Sequence, residues 1–212
     1  MRSHSTSGGH QPTRSTSLDN CSQLILLSED LIDNDGGELT FLTALVRALP
    51  TMRGAGPTTR RAVARFAATG SLVAVGGATN GAMMRVLPIG WVLPATDAER
   101  RRKLVERMTR TTHADTKAIA TASAIAAMGA WALETCGAKD LINVAGEELD
   151  HFRIANTEAW ELRPGGVSLD VMDTLGAILH VLSVHEHPAS AMRYAVSLGG
   201  DTDRAMRQAS YA

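Results

Sequence analysis

Residues 117–134, Lys-Ala-Ile-Ala-Thr-Ala-Ser-Ala-Ile-Ala-Ala-Met-Gly-Ala-Trp-Ala-Leu-Glu, constrain the fold more than any other stretch. Alanine is the strongest helix former. It also adds little bulk, so a helix built this way lets its neighbours approach closely and belongs at the centre of a bundle. Aromatic residues make up only 4% of the chain, leaving Ala, Leu, Val and Met to fill the core. That favours close-packed helices over an aromatic-rich β-sandwich. At 212 residues the chain is one domain or most of one, and domains of this size hide roughly 70% of their unfolded surface.

Helical spacing recurs on both sides of that segment. Residues 22–33 place Leu24, Leu27 and Leu31 beside Ile25 and Ile32, and Asn34-Asp35-Gly36-Gly37 reads as the turn that ends them. Leu42, Leu45, Val46 and Leu49 repeat the pattern until Pro50. After the break Gly54-Ala55-Gly56, Pro57 opens a helix expected to run to Thr69 and close at Gly70. Residues 71–81 form a small-residue loop, and 82–93 are a mostly apolar segment expected as a buried helix, broken or bent near Pro88. Asp97 can cap a basic helix over 98–110, and Thr112-His113-Ala114-Asp115 is a turn with two cap candidates. Further helices are expected at 138–152, 168–184, 189–197 and 203–211. Alternation never persists, so the fold class is all-α: an orthogonal multi-helix bundle of nine or ten helices. Residues 1–17, rich in Ser, Thr, His and Gly, read as a disordered leader, and 18–212 as the helical domain.

Charge and cysteine usage narrow the partners. Formal net charge is −1, so no long-range field recruits nucleic acid or an acidic membrane. The run Arg100-Arg101-Arg102-Lys103, with Glu99 and Glu106 nearby, reads as a solvated helix face laced with i,i+4 pairs. Cys21 and Cys136 lie in no CxxC motif, which argues for a reducing compartment. With no apolar run long enough to span a bilayer and no apolar signal region, the expected location is the cytoplasm.

Chemistry concentrates in a few places. Gly199-Gly200-Asp201-Thr202-Asp203 packs carboxylates, a hydroxyl and two glycines together. Hard oxygen donors of this kind suit Mg²⁺, while plain helix capping by Asp201 is the simpler reading. Asp19-Asn20-Cys21-Ser22 is a second acidic helix start with the same two readings. His113 falls between two predicted helices, where a partly exposed loop histidine is expected. His185 and His187 form a pair at a helix end and read as solvated. There is no P-loop, GxGxxG or Gly-x-Ser-x-Gly elbow.

Four segments taken in order resemble the ADP-ribosylglycohydrolase family of metal-dependent, all-helical hydrolases. They are Gly56-Pro57-Thr58-Thr59-Arg60; Asn80-Gly81-Ala82-Met83-Met84-Arg85-Val86-Leu87-Pro88-Ile89-Gly90; Thr112-His113-Ala114-Asp115; and Leu198-Gly199-Gly200-Asp201-Thr202-Asp203. The second is similar to the specific signature NGAxMRxxPxG. The resemblance implies two Mg²⁺ ions held between acidic residues from both ends of the chain, binding the ribose hydroxyls of ADP-ribose. It implies Asp19, Asp201 and Asp203 as catalytic and metal-ligating residues and Asn20 as a further ligand. Gly76, Gly77, Asn80, Gly81, His113, Gly199 and Gly200 would line the substrate cleft.

The chain also departs from the family pattern. Leu18, Asn20 and Cys21 stand where the family's Thr-Asp-Asp-Thr motif has Thr, Asp and Thr, and Arg204 replaces a hydroxyl ligand. The family's first helix, which carries a Glu at the metal site, has no counterpart in residues 1–18, and the terminal helix is expected to be cut short. The expectation is a hydrolase that releases ADP-ribose from a protein or small molecule, weakened by lost metal ligands. The alternatives are a non-catalytic binder of ADP-ribose or nucleotide, or an inactive fragment.

Overall fold

The computed structural model describes residues 19–52, 55–134, 137–155 and 160–200. The expected leader, the C-terminal helix 203–211 and Cys136 therefore lie outside the described residues. The order is α1 (Asp19–Asn34), α2 (Glu38–Ala48), α3 (Pro57–Thr69), a 3₁₀ turn (Met83–Arg85), α4 (Leu87–Val92), α5 (Ala98–Arg110), α6 (Thr116–Ala132), α7 (Ala138–His151), α8 (Val171–Val184) and α9 (Pro188–Ser197). No strand occurs among the described residues, so the all-α class holds.

The alanine-rich segment is the central post. Every residue from Ala118 to Ala130 of α6 is buried, and α4, α5, α7 and α8 all pack against it. Small side chains allow this. A Cβ on Gly90 of α4 would stand 2.1 Å from the Ala126 carbonyl oxygen and 2.9 Å from the Ala130 nitrogen, so the two backbones touch. The last glycine of the Asn80–Gly90 motif is thus a packing residue.

Local signals set most boundaries. Pro57 opens α3, and Gly70 closes it in the left-handed conformation at φ 70°. Asp97 and Asp115 cap α5 and α6 by accepting from the backbone N–H of Arg100 and Lys117. One expectation is sharpened and one shifts. Of the two possibilities for 82–93, a bend or a break, the structure shows a break, because the 3₁₀ turn ends at Arg85 and a new helix begins at Leu87 with Pro88 in its first turn. α8 starts at Val171 rather than 168, since the Asp170 carboxylate caps it through the N–H groups of Met172 and Asp173.

The basic run is also not simply a solvated face. Lys103–Glu99 and Arg110–Glu106 form the expected i,i+4 pairs. Arg101, however, is 1% exposed and paired with Glu148 of α7 at 3.5 Å. Helical spacing turns Arg101 inward together with Leu104, Val105 and Met108, and a buried cation needs a buried anion. Arg102 Nε and Ser123 Oγ donate to the same carboxylate at 2.9 and 2.7 Å.

Candidate functional site

The small-residue loop 71–81 crosses the end of α5 and the start of α6. It is tied down by Ala74 N–H to the Arg110 carbonyl and by Ala114 N–H to the Gly76 carbonyl, at 2.9 and 2.8 Å. A Cβ on Gly77 (φ 103°) would lie 2.7 Å from Thr58 Cγ2, so only glycine lets the loop settle here. Gly81 sits over the His113 ring, with 3.2 Å from an added Cβ to Cε1.

His113 is completely buried, which corrects the expectation of a partly exposed loop histidine. The glycine loop covers it, and its polar flanks are spent inside. The hydrogen bonds around it run in one direction. Arg85 Nη2 donates to Thr112 Oγ1 at 2.6 Å, and a guanidinium can only donate. The Thr112 hydroxyl also lies 2.7 Å from His113 Nδ1, and donating there gives its proton an acceptor while the oxygen still accepts from Arg85. Nε2 then carries the ring's proton and donates to Thr79 Oγ1 at 2.9 Å. Thr79 in turn donates to Thr58 Oγ1 at 3.1 Å. Burial first, and the Arg85 charge second, push the His113 pKa down from its usual 6.5 to about 3. The ring is thus neutral, with Thr112 at Nδ1 and Thr79 at Nε2 holding its two nitrogens, and the Nε2–H tautomer is the one in which Thr112 donates to it.

Arg85 is fully buried as well. It donates to Gln23 Oε1 of α1 at 2.8 Å and to the Met108 carbonyl at 3.2 Å, and it lies 5.2 Å from the Phe41 ring centroid. Gln23 comes one helical turn after Asp19, so the start of α1 is anchored beside this polar chain. Sequence reasoning placed Thr58, Arg85 and Thr112 in family-like segments without a role in the site, and gave Gln23 none. A lone arginine inside the apolar run 82–93 was the available signal.

Residues 166–171 stitch the glycine loop to the Gly199–Gly200 turn. Thr79 pairs with Asp170 in an antiparallel bridge, and Val167 pairs with Gly200 in a parallel one. Asn80 N–H donates to the Leu169 carbonyl and Val167 N–H to the Gly199 carbonyl, at 3.0 and 3.2 Å. The Asn80 side chain is 3% exposed, and its Nδ2 donates to Thr174 Oγ1 in α8 at 3.1 Å. A Cβ on Gly200 would stand 2.3 Å from the Val167 carbonyl oxygen, so the pairing needs glycine. Asp173 locks the same segment, accepting from Trp160 Nε1 at 2.8 Å and Ser168 N–H at 2.7 Å. Burial works to raise its pKa, but these bonds and the Arg163 charge outweigh that and hold it low.

Gly76, Gly77, Asn80, Gly81, His113, Gly199 and Gly200 therefore gather in one connected region. The side chains of Asp19 and Asn20, and all of Asp201 and Asp203, lie outside the described residues. Among the described residues, no three His, Cys, Asp or Glu side chains are grouped to hold a metal, and His185 instead stacks near Tyr194.

A model of the ADP-ribosylglycohydrolase family matches residues 5–205. The chain belongs to the ADP-ribosylglycohydrolase family. It is similar to a chain of a solved structure described as an ADP-ribosylglycohydrolase-related protein complex, at 27% identity and TM-score 0.76. The likeness covers 89% of this chain and 67% of that one. The comparison with curated proteins returned no match. Family membership gives the Asn80–Gly90 motif and the Gly199–Gly200 turn a common context. No helix among the described residues is long and apolar enough to cross a membrane.

Proposed function

We propose that this chain is a Mg²⁺-dependent hydrolase that releases ADP-ribose from an ADP-ribosylated protein or small molecule, with a weakened metal site. One observation carries this reading: residues 166–171 tie the glycine loop at Asn80 to the turn at Gly199–Gly200, the residues immediately before Asp201. The family match over 5–205 supports it.

The donor set fits the ion chemically. Asp19, Asp201 and Asp203 offer carboxylates and Asn20 a carbonyl oxygen, all hard donors suited to Mg²⁺. Asn20 adds no charge, Cys21 is a soft ligand, and Arg204 places a cation next to Asp203. Each of these weakens a divalent site. When bound, the ion would orient the ribose hydroxyls and make a water more acidic. The chain's own contribution is positional. The loop at Gly76–Gly81 offers backbone donors to a diphosphate, and the neutral His113 holds Thr79 in place through a hydrogen bond at Nε2. Hydrolysis breaks the bond at the anomeric carbon, and an oxygen from water replaces the leaving group.

Release of ADP-ribose from ADP-ribosylated arginine, serine and acyl-ester substrates tests the proposal. Release is expected only with Mg²⁺ in excess and is expected to vanish in Asp201→Asn. Release in EDTA equal to that with Mg²⁺ would sink the metal-dependent reading. Full turnover at trace Mg²⁺ would refute the weakened site.

A further inference from the structure

Beside the polar chain lies an open cavity of about 380 Å³, within the range of small-ligand sites. Thr58, Ala74 and Thr112 form its buried floor, and Arg61, Arg65 and Val75 are exposed around it. The two arginines stand four residues apart on α3, on one helix face. Neither takes part in an ion pair among the described residues. α3 carries Arg60, Arg61 and Arg65 and no acidic residue, and its first turn lacks a side-chain cap. Like charges at i,i+4 repel, and cations in the first turns of a helix oppose its dipole. Arg65 is held toward the loop because its Nε donates to the Val73 carbonyl at 3.4 Å, which leaves the rest of the fork open.

A second observation is independent of charge. The chain of donors that starts at Arg85 ends at Thr58, whose oxygen accepts from Thr79. The Thr58 hydroxyl has Thr79 Oγ1 as its one hydrogen-bond partner among the described residues, and this 6%-exposed side chain lines the cavity. A buried hydroxyl that can donate, below two guanidinium groups that face no carboxylate, recognises an anion rich in acceptors.

We propose that this cavity binds a phosphate-bearing ligand, with Arg61 and Arg65 gripping the phosphate oxygens and the Thr58 hydroxyl donating from below. The inference does not depend on the hydrolase reading, because binding here needs no metal. Inorganic pyrophosphate and the diphosphate of a nucleotide share this chemistry. Calorimetric titration of the whole chain in EDTA with pyrophosphate, ADP and adenosine tests the proposal and tells the two sources apart. Pyrophosphate and ADP are expected to bind, more weakly as NaCl rises. Arg61→Gln/Arg65→Gln is expected to weaken both at least tenfold while the melting temperature holds, since both side chains are exposed. ADP binding tighter than pyrophosphate supports a nucleotide ligand, and equal affinity supports free pyrophosphate. The proposal is overturned if neither phosphate compound binds the wild type. It is equally overturned if the double variant binds them unchanged, or if adenosine binds as well as ADP.

Discussion

Arg85 and Arg101 are both fully buried, but their partners differ in kind. Arg101 faces a carboxylate, Glu148, together with the carbonyls of Pro94 and Ala95 at 3.2 and 2.9 Å. Its partners close a seam between α5 and α7, away from the glycine loop. Arg85 sends hydrogen bonds to Gln23, the Met108 carbonyl and Thr112, and through Thr112 its polarity passes to His113, Thr79 and Thr58. The first arrangement binds two helices. The second orients a row of hydroxyls and a ring beneath the loop that carries the family motif. Burial of a cation is thus structural in one place and organising in the other.

The sharpest break between them should come from Glu148→Gln. It leaves Arg101 buried without an anion and takes the same anion from half-buried Arg102, whose side chain is 26% exposed. Loss of one partner from a buried pair typically costs about 3–5 kcal/mol. Urea unfolding is expected to show that loss, with the His113 tautomer unchanged by NMR. A loss near zero would mean that the seam does not hold α5 to α7 electrostatically.

Thr112→Val tests the other arrangement. The valine keeps the volume but removes the acceptor of Arg85 and the donor to His113 Nδ1. Leaving buried polar groups unsatisfied costs about 1–3 kcal/mol. More diagnostic is the ring itself: nitrogen shifts of His113 should leave the pure Nε2–H tautomer. An unchanged tautomer would show that Arg85 does not direct the ring.

Much of this fold was legible in the sequence, for reasons that differ from element to element. Pro57 and Gly70 bracket α3 because their backbone limits are intrinsic. The centrality of α6 follows from side-chain size alone. Arg101 was misread because a charge run at helical spacing does not reveal which member turns inward until Glu148, on another helix, is placed. His113 was misread for the same reason: its neighbours are polar, and its burial is created by a loop folding over it from residues 76–81. The glycine motifs declared a site, while the hydroxyl chain beneath them depends on contacts between α3, the loop and α6 that no local pattern encodes.

Acid separates the two arrangements next. His113 has its pKa lowered in the fold, so below 6.5 the unfolded chain binds a proton that the native state refuses. Stability therefore falls as pH drops from 6.5 toward about 3. The slope contributed by one group is at most about 1.4 kcal/mol per pH unit. Unfolding between pH 6.5 and 4.5 is expected to show that slope in the wild type and in Glu148→Gln. It should be absent in His113→Gln. The same slope in His113→Gln would assign the acid sensitivity to other groups.

The smallest effect belongs to a third ion site, which calibrates the buried two. Arg107, two turns after Arg101 on α5, reaches Glu38 Oε1 at 2.8 Å and Oε2 at 2.6 Å, and it also donates to the Gly36 carbonyl at 3.2 Å. This pair is bidentate but wet: the side chains are 52% and 28% exposed. The hydrogen bonds from Arg107 hold the Glu38 carboxyl below its usual 4.5. Its stabilisation is therefore complete above that value and is lost as pH falls beneath it. Solvent screening limits an exposed pair to about 0.2–1 kcal/mol. Glu38→Gln should cost that much at low salt and almost nothing at 1 M NaCl, where charges about 3 Å apart are already screened. The loss from Glu148→Gln should hardly change with salt, because ions do not enter the seam between α5 and α7. If the two losses fell together as salt rose, the Arg101 site would be as open to solvent as the Arg107 site, and the contrast between buried and rim charges on α5 would disappear.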